Sequence, residues 1–166
     1  MAVNNYQDLL KKVEKVTAQK GLDLSSGEDL SIGIMNLIAI EEHLFYSSQK
    51  TKDNKYLELL NEVRLMRTGL MKEIVKNPEG EIWCISKHLL AASMRLMEVG
   101  TKELKKDNKT KSRDLFDKAY KLYTLFWGLN LGAVKVKDVK QETKEDKTVF
   151  AKLGTIINKV LDCCRE

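Results

Sequence analysis

The spacing of the apolar residues constrains this chain more than any other feature. They recur every three or four residues, the interval that lines one face of an α-helix. Leu9, Leu10, Val13 and Val16 follow Tyr6 in such a set, and Gly21 ends that stretch in the manner of a C-cap. Ser25 and Glu28 stand at capping-box spacing, with Leu22 and Leu24 in the loop before them. A long helix is expected from there to about Gln49, with Ile34, Leu37, Ile38, Leu44 and Phe45 facing the core. After the turn Thr51-Lys52-Asp53-Asn54, a second long helix carries Tyr56, Leu59, Leu60, Val63, Met66, Leu70 and Ile74.

Asn77-Pro78-Glu79-Gly80 is the clearest break. Asn77 can cap a helix and proline is tolerated in a first turn. The third helix, to about Lys105, is apolar nearly all round and is expected to be central. The fourth starts near Thr110 and holds Leu115, Phe116, Ala119, Leu122, Tyr123, Phe126 and Leu129. Asn130-Leu131-Gly132 stops it. Residues 133–148 mix three valines with lysines and acids and read as a hydrophilic tether. Phe150, Leu153, Ile156, Ile157, Val160 and Leu161 mark a last amphipathic helix over 149–163.

No segment reads as a strand with a mate. The expected class is therefore all-α: an antiparallel four-helix bundle core over 27–131, with one extra amphipathic helix at each terminus (1–21 and 149–163). With 166 residues, 43 % of them hydrophobic, the chain is long and apolar enough for one packed domain. No apolar run approaches the roughly 18–20 residues of a membrane span. The start of the chain has no basic-then-apolar signal pattern, and three cysteines are an odd number. Both point to a reducing, cytoplasmic setting.

Leu96, Val99, Gly100, Ser112, Phe116 and Ala119 fall at signature positions of a helical hairpin. In this stretch, about a fifth of the chain, the sequence resembles a single tetratricopeptide-type hairpin. The resemblance implies close antiparallel packing of the third and fourth helices, with the glycine admitting the aromatic. It departs at Glu103, where that family has an aromatic, and at Thr124, where it prefers proline. No second copy occurs at that period, so an array is not expected.

Sites of chemistry are scarce. Glu41 and Glu42 lie among apolar residues of the first long helix, and Arg64 and Arg67 hold the matching place on the second. They read as a buried polar pair that fixes helix register. A di-metal bundle needs Glu-x-x-His on two helices, but Ile40 precedes His43 and Ile85 precedes His88. Cys84 and His88 share a face of the third helix with Arg95, Glu98 and Lys102, which is too few ligands for zinc. The HEPN ribonucleases, helical bundles of similar size, carry an arginine a few residues before a histidine on one helix. Here His88 precedes Arg95, which speaks against that chemistry. No glycine-rich phosphate loop is present, so no cofactor is expected. Cys163 and Cys164 superficially resemble a prenylation end, but Arg165 and Glu166 do not fit one.

The net charge of +5 is concentrated. Lys102, Lys105, Lys106, Lys109, Lys111 and Arg113 cluster around Asn108, the expected turn between the third and fourth helices. That cluster, with His88 and Arg95 nearby, is the candidate surface for nucleic acid or an acidic partner. Tyr120 and Trp127, seven apart, form a candidate aromatic patch beside it. With no complete catalytic set, the expectation is a non-enzymatic module that binds a protein partner or forms a homo-oligomer. A basic nucleic-acid-binding helical protein is the alternative.

Overall fold

A computed structural model of the protein describes residues 24–75 and 80–134, together with Lys11. These residues form four α-helices and no strand: α1 (Leu24–Thr51), α2 (Lys55–Ile74), α3 (Glu81–Lys105) and α4 (Lys109–Asn130). The expected helices over 1–21 and 149–163, most of the tether, Asn77 and Pro78 lie outside the described residues.

Helix ends differ from the sequence reading in three places. Leu24 is the first residue of α1 rather than part of a loop, so Ser25 lies inside the first turn and does not stand at the N-cap. Helix α3 begins at Glu81 behind Gly80, whose φ of 131° is open to glycine alone. The tether also begins later than expected. Ala133 and Val134 pack against the core, and the Val134 amide donates to the Gly128 carbonyl at 2.9 Å. Gly132, at φ 70°, supplies the reversal that brings them back.

The helices pair as two antiparallel hairpins, α1 with α2 and α3 with α4, and α1 against α3 joins them. The α3–α4 hairpin follows from a repeat of small residues. Ser86, Ser93 and Gly100 stand seven apart on α3, and Ser112 and Ala119 seven apart on α4. Small side chains let two backbones approach until a hydroxyl on one reaches a carbonyl of the other. The Ser112 hydroxyl donates to the Gly100 carbonyl at 2.9 Å, and the Ser93 hydroxyl to the Ala119 carbonyl at 2.8 Å. At the far end the Asn130 amide donates to the Ser86 hydroxyl at 3.0 Å. The register is thus fixed three times by side-chain hydrogen bonds. Elsewhere on α4 the buried Thr124 hydroxyl and Trp127 indole N–H have no hydrogen-bond partner among the described residues. Gly100 is the tightest point: a Cβ there would stand 2.7 Å from the Phe116 ring. This is the close packing that the tetratricopeptide-like residues imply.

The core occupies one end of the molecule. Ile34 and Met35 of α1, Met71 and Ile74 of α2, Leu89 and Leu90 of α3, and Phe126 and Trp127 of α4 form one cluster. Phe126 and Trp127 meet edge to face at 5.2 Å, a favoured aromatic geometry. Ser31 of α1 and Tyr123 of α4 share a hydrogen bond of 2.7 Å across the hairpins at the same level. Both hairpin connections lie at the opposite end. Helix α3 touches α1 and α4, and α1 touches α2 and α3.

Gly100 and Gly69 make a controlled comparison. Gly69 lies mid-helix with nothing near its missing Cβ. Gly69→Ala should therefore stabilise the protein by up to about 1 kcal/mol through helix propensity. Gly100→Ala meets Phe116 and should destabilise it by about 1–3 kcal/mol. Urea unfolding followed by circular dichroism measures both, and equal effects at the two sites would refute the close approach.

Candidate interaction surface

Each helix carries an apolar stripe that starts in the core and runs toward the connection of its own hairpin. On α2 the stripe is Leu70, Val63, Met66 and Leu59 at helical spacing. Leu70 packs on the core, whereas Met66 and Leu59 are exposed. On α3, Leu90 is fully buried and Met94 packs beside it, whereas Met97 and Leu104 are exposed. On α1 the sequence Ile34, Ile38, Phe45 repeats the pattern, and on α4 so does Trp127, Tyr123, Tyr120. The outer members are 41–55 % exposed. Phe45, Leu59 and Met66 were expected on apolar stripes. Phe45 keeps the phase of buried Ile34, but the core stops before it, whereas Leu59 and Met66 lie about 80–100° round α2 from buried Arg67.

Ion pairs mark where the core stops. The carboxylate of Glu41 takes hydrogen bonds from Arg67, which is buried, and from Arg64 at 3.1 Å, which is half exposed. Arg67 also points its guanidinium at the Met71 sulfur, 3.5 Å away. Three of the four residues expected as a buried polar pair therefore meet. Glu42 does not join them. It faces α3 and pairs with Arg95, which also binds Glu98 at 2.8 Å. Adjacent residues on a helix diverge by about 100°, so Glu41 serves α2 and Glu42 serves α3. Among the described residues the Glu42–Arg95 pair is the one ion pair joining the two hairpins.

The α3–α4 connection is built on Glu103. Its carboxylate, almost wholly covered, accepts from Lys106 Nζ at 3.0 Å and from the Asn108 amide at 3.1 Å, with Lys111 Nζ at 3.6 Å. Asn108 in turn caps α4 by accepting from the Lys111 amide at 3.3 Å. The Lys106 hydrogen bond holds the Glu103 carboxyl below its ordinary range. Desolvation opposes that shift, while the Lys106 and Lys111 charges and the Asn108 bond add to it. Lys109 pairs with Asp107 at 3.2 Å. Of the six expected cations, Lys102, Lys105 and Arg113 have no acidic partner among the described residues.

The other expected members of the basic site lie elsewhere. His88 is exposed but stands fourteen residues before Lys102 on α3, about 21 Å along the axis. Arg95 is engaged by its two glutamates. Trp127 is 1 % exposed at the core end, so it forms no patch with Tyr120. Cys84 is exposed. Among the described residues, no three histidine, cysteine, aspartate or glutamate side chains stand where they could hold a metal ion. No described helix is long and apolar enough to cross a membrane.

The sequence reading missed a second basic element. Lys50, Lys52 and Lys55 flank the α1–α2 connection, against Asp53 alone. They are unremarkable in sequence, nearly fifty residues from the other cluster. The pairing of the hairpins puts both connections at the end away from the core.

No protein-family model, curated protein or solved structure matches the chain.

Two outcomes follow from the charged groups. A carboxyl with a lowered pKa in the folded state contributes stability above its ordinary value of 4.5, and that stability is lost as pH falls through the folded value. Acidification from pH 6 to pH 3 should therefore lower the urea midpoint of the parent more than that of Glu103→Gln. Equal losses would mean that the Glu103 clamp does not form. Glu41→Ala leaves the Arg67 charge buried and should cost about 2–4 kcal/mol, whereas Glu41→Leu combined with Arg67→Met should come within about 1 kcal/mol of the parent. A single change no worse than the double one would contradict the buried pairing.

Proposed function

We propose that this chain is a non-enzymatic protein–protein interaction module: an antiparallel four-helix bundle over 27–131, flanked by an amphipathic helix at each terminus, working in the cytoplasm. The observation that carries this reading is the course of the apolar stripes. All four leave the core and end on exposed Phe45, Leu59, Met66, Met97, Leu104 and Tyr120. Large apolar side chains left in water at helical spacing suit the apolar face of a further helix, which would bury them in the manner of helix-in-groove recognition. Burying such a side chain fully is worth about 1.5–3 kcal/mol, and at 41–55 % exposure each has about half of that still to gain. The further helix belongs to a partner or to a second copy of the chain.

A second reading, nucleic-acid binding through the Lys102–Arg113 turn, is favoured by Lys102, Lys105 and Arg113, which have no acidic partner among the described residues. It predicts affinity that falls steeply with salt.

The test uses the purified full chain and fluorescent peptides of about five helical turns with one leucine face. At least one of a neutral, an acidic and a basic version should bind more tightly than its scrambled counterpart, or sedimentation should show a concentration-dependent oligomer. Met66→Ser with Met97→Ser should abolish either behaviour. A monomer that binds no leucine-faced peptide better than its scramble would refute the reading.

A further inference from the structure

Charge at the connection end identifies the kind of partner. The two connections, residues 50–55 and 102–113, hold nine lysines and arginines against Asp53, Glu103 and Asp107, a net of +6, larger than the +5 of the whole chain. Glu58 and Asp114, within one turn of them, reduce it only to +4. Exposed apolar side chains lie at the same end: Leu104 on α3, Leu57 on α2, and Phe45 and Tyr46 about a turn before Lys50 on α1.

Resting on the interaction-module reading, we propose that this end docks an acidic amphipathic helix of another protein. Its apolar face would cover Met97 and Leu104, which share a face of α3, and its carboxylates would meet Lys105 and the lysines of the α1–α2 connection. The chain's own segments are poor occupants, because residues 1–23 carry a net +1 and residues 135–166 a net +2. A second copy presenting the same end brings +6 against +6, which long-range repulsion disfavours. A phosphate polymer would satisfy the lysines but leave Met97 and Leu104 in water. From Arg95, where α3 is still tied to α1, to Lys105 is ten residues or about 15 Å, which matches about three turns of a bound helix.

The experiment is a fluorescence-anisotropy titration of the full chain with peptides that share one leucine face and carry glutamate, glutamine or lysine on the other. A scrambled glutamate peptide and a single-stranded RNA oligonucleotide complete the set. The glutamate peptide should bind at least about tenfold more tightly than the glutamine peptide at low salt, and the gap should close at about 0.5 M salt. Lys102→Glu with Lys105→Glu should invert the preference toward the lysine peptide. Met97→Ser with Leu104→Ser should weaken the glutamate peptide at least about tenfold. Equal binding of the glutamate and glutamine peptides would overturn the acidic partner and leave the interaction module standing. Equal binding of the scramble would reduce the site to bare charge, and tighter binding of RNA would transfer it to nucleic acid; both overturn the proposal. If no peptide binds, the proposal and the module reading fall together.

Discussion

The close approach of α3 and α4 is the contact on which the rest of the architecture depends. Ser86, Ser93 and Gly100 on α3 and Ser112 and Ala119 on α4, at intervals of seven, allow the backbones to come within reach of side-chain hydroxyls. That approach sets the level of Leu89 and Leu90 against Phe126 and Trp127, and so sets the shape of the wall that α1 and α2 meet. A slip of one turn would place Phe116 against a side chain other than Gly100 and leave Ser93 without its carbonyl. Hydrogen bonds between helices contribute modest net stability, but an unmet buried hydroxyl is costly, so they select one register more than they strengthen it. The structural asymmetry begins here: this hairpin is knit along its whole length, while its contact with the α1–α2 hairpin is confined to one end.

That confinement explains the exposed stripes. Sequence periodicity runs unbroken along each helix, yet the packing does not. At Glu41 the interior changes from apolar to ionic, and beyond that level Phe45, Met97 and Leu104 reach solvent. A buried pair such as Glu41–Arg67 adds little net stability against a well-packed apolar alternative, but it discriminates strongly among alignments. Glu42 and Arg95 perform a similar service between the hairpins in a wetter setting, where less is gained.

Much of this architecture can be read from the residues. The four helices, the Asn108 turn, the stop at Asn130-Leu131-Gly132 and the meeting of Glu41 with Arg64 and Arg67 all follow from periodicity, caps and charge. These signals are local, or bridge neighbouring helices joined by a short connection. What escaped the sequence is non-local. Met97 has the same phase on α3 as buried Leu90, and only the extent of the core separates exposed from buried. Met66 is rotated about 100° round α2 from buried Arg67. Glu42 was assigned to the second helix because its neighbour belongs there, although it is rotated toward the third. His88 and the lysines share one stripe of α3, yet a stripe is long, and sharing it does not bring its ends together. The two basic connections, far apart in sequence, come to one end only through the hairpin pairing.

Thiol accessibility tests the central claim most directly. In a chain whose three native cysteines are replaced by serine, a single cysteine is introduced by Met66→Cys, Met97→Cys or Leu90→Cys, and its labelling rate is compared with that in urea. Positions 66 and 97 should label within about tenfold of the unfolded rate, and position 90 should be slowed by orders of magnitude, in line with the opening free energy of a core residue. Protection at 66 and 97 equal to that at 90 would mean that the apolar stripes are already covered, and the interaction surface described here would not exist.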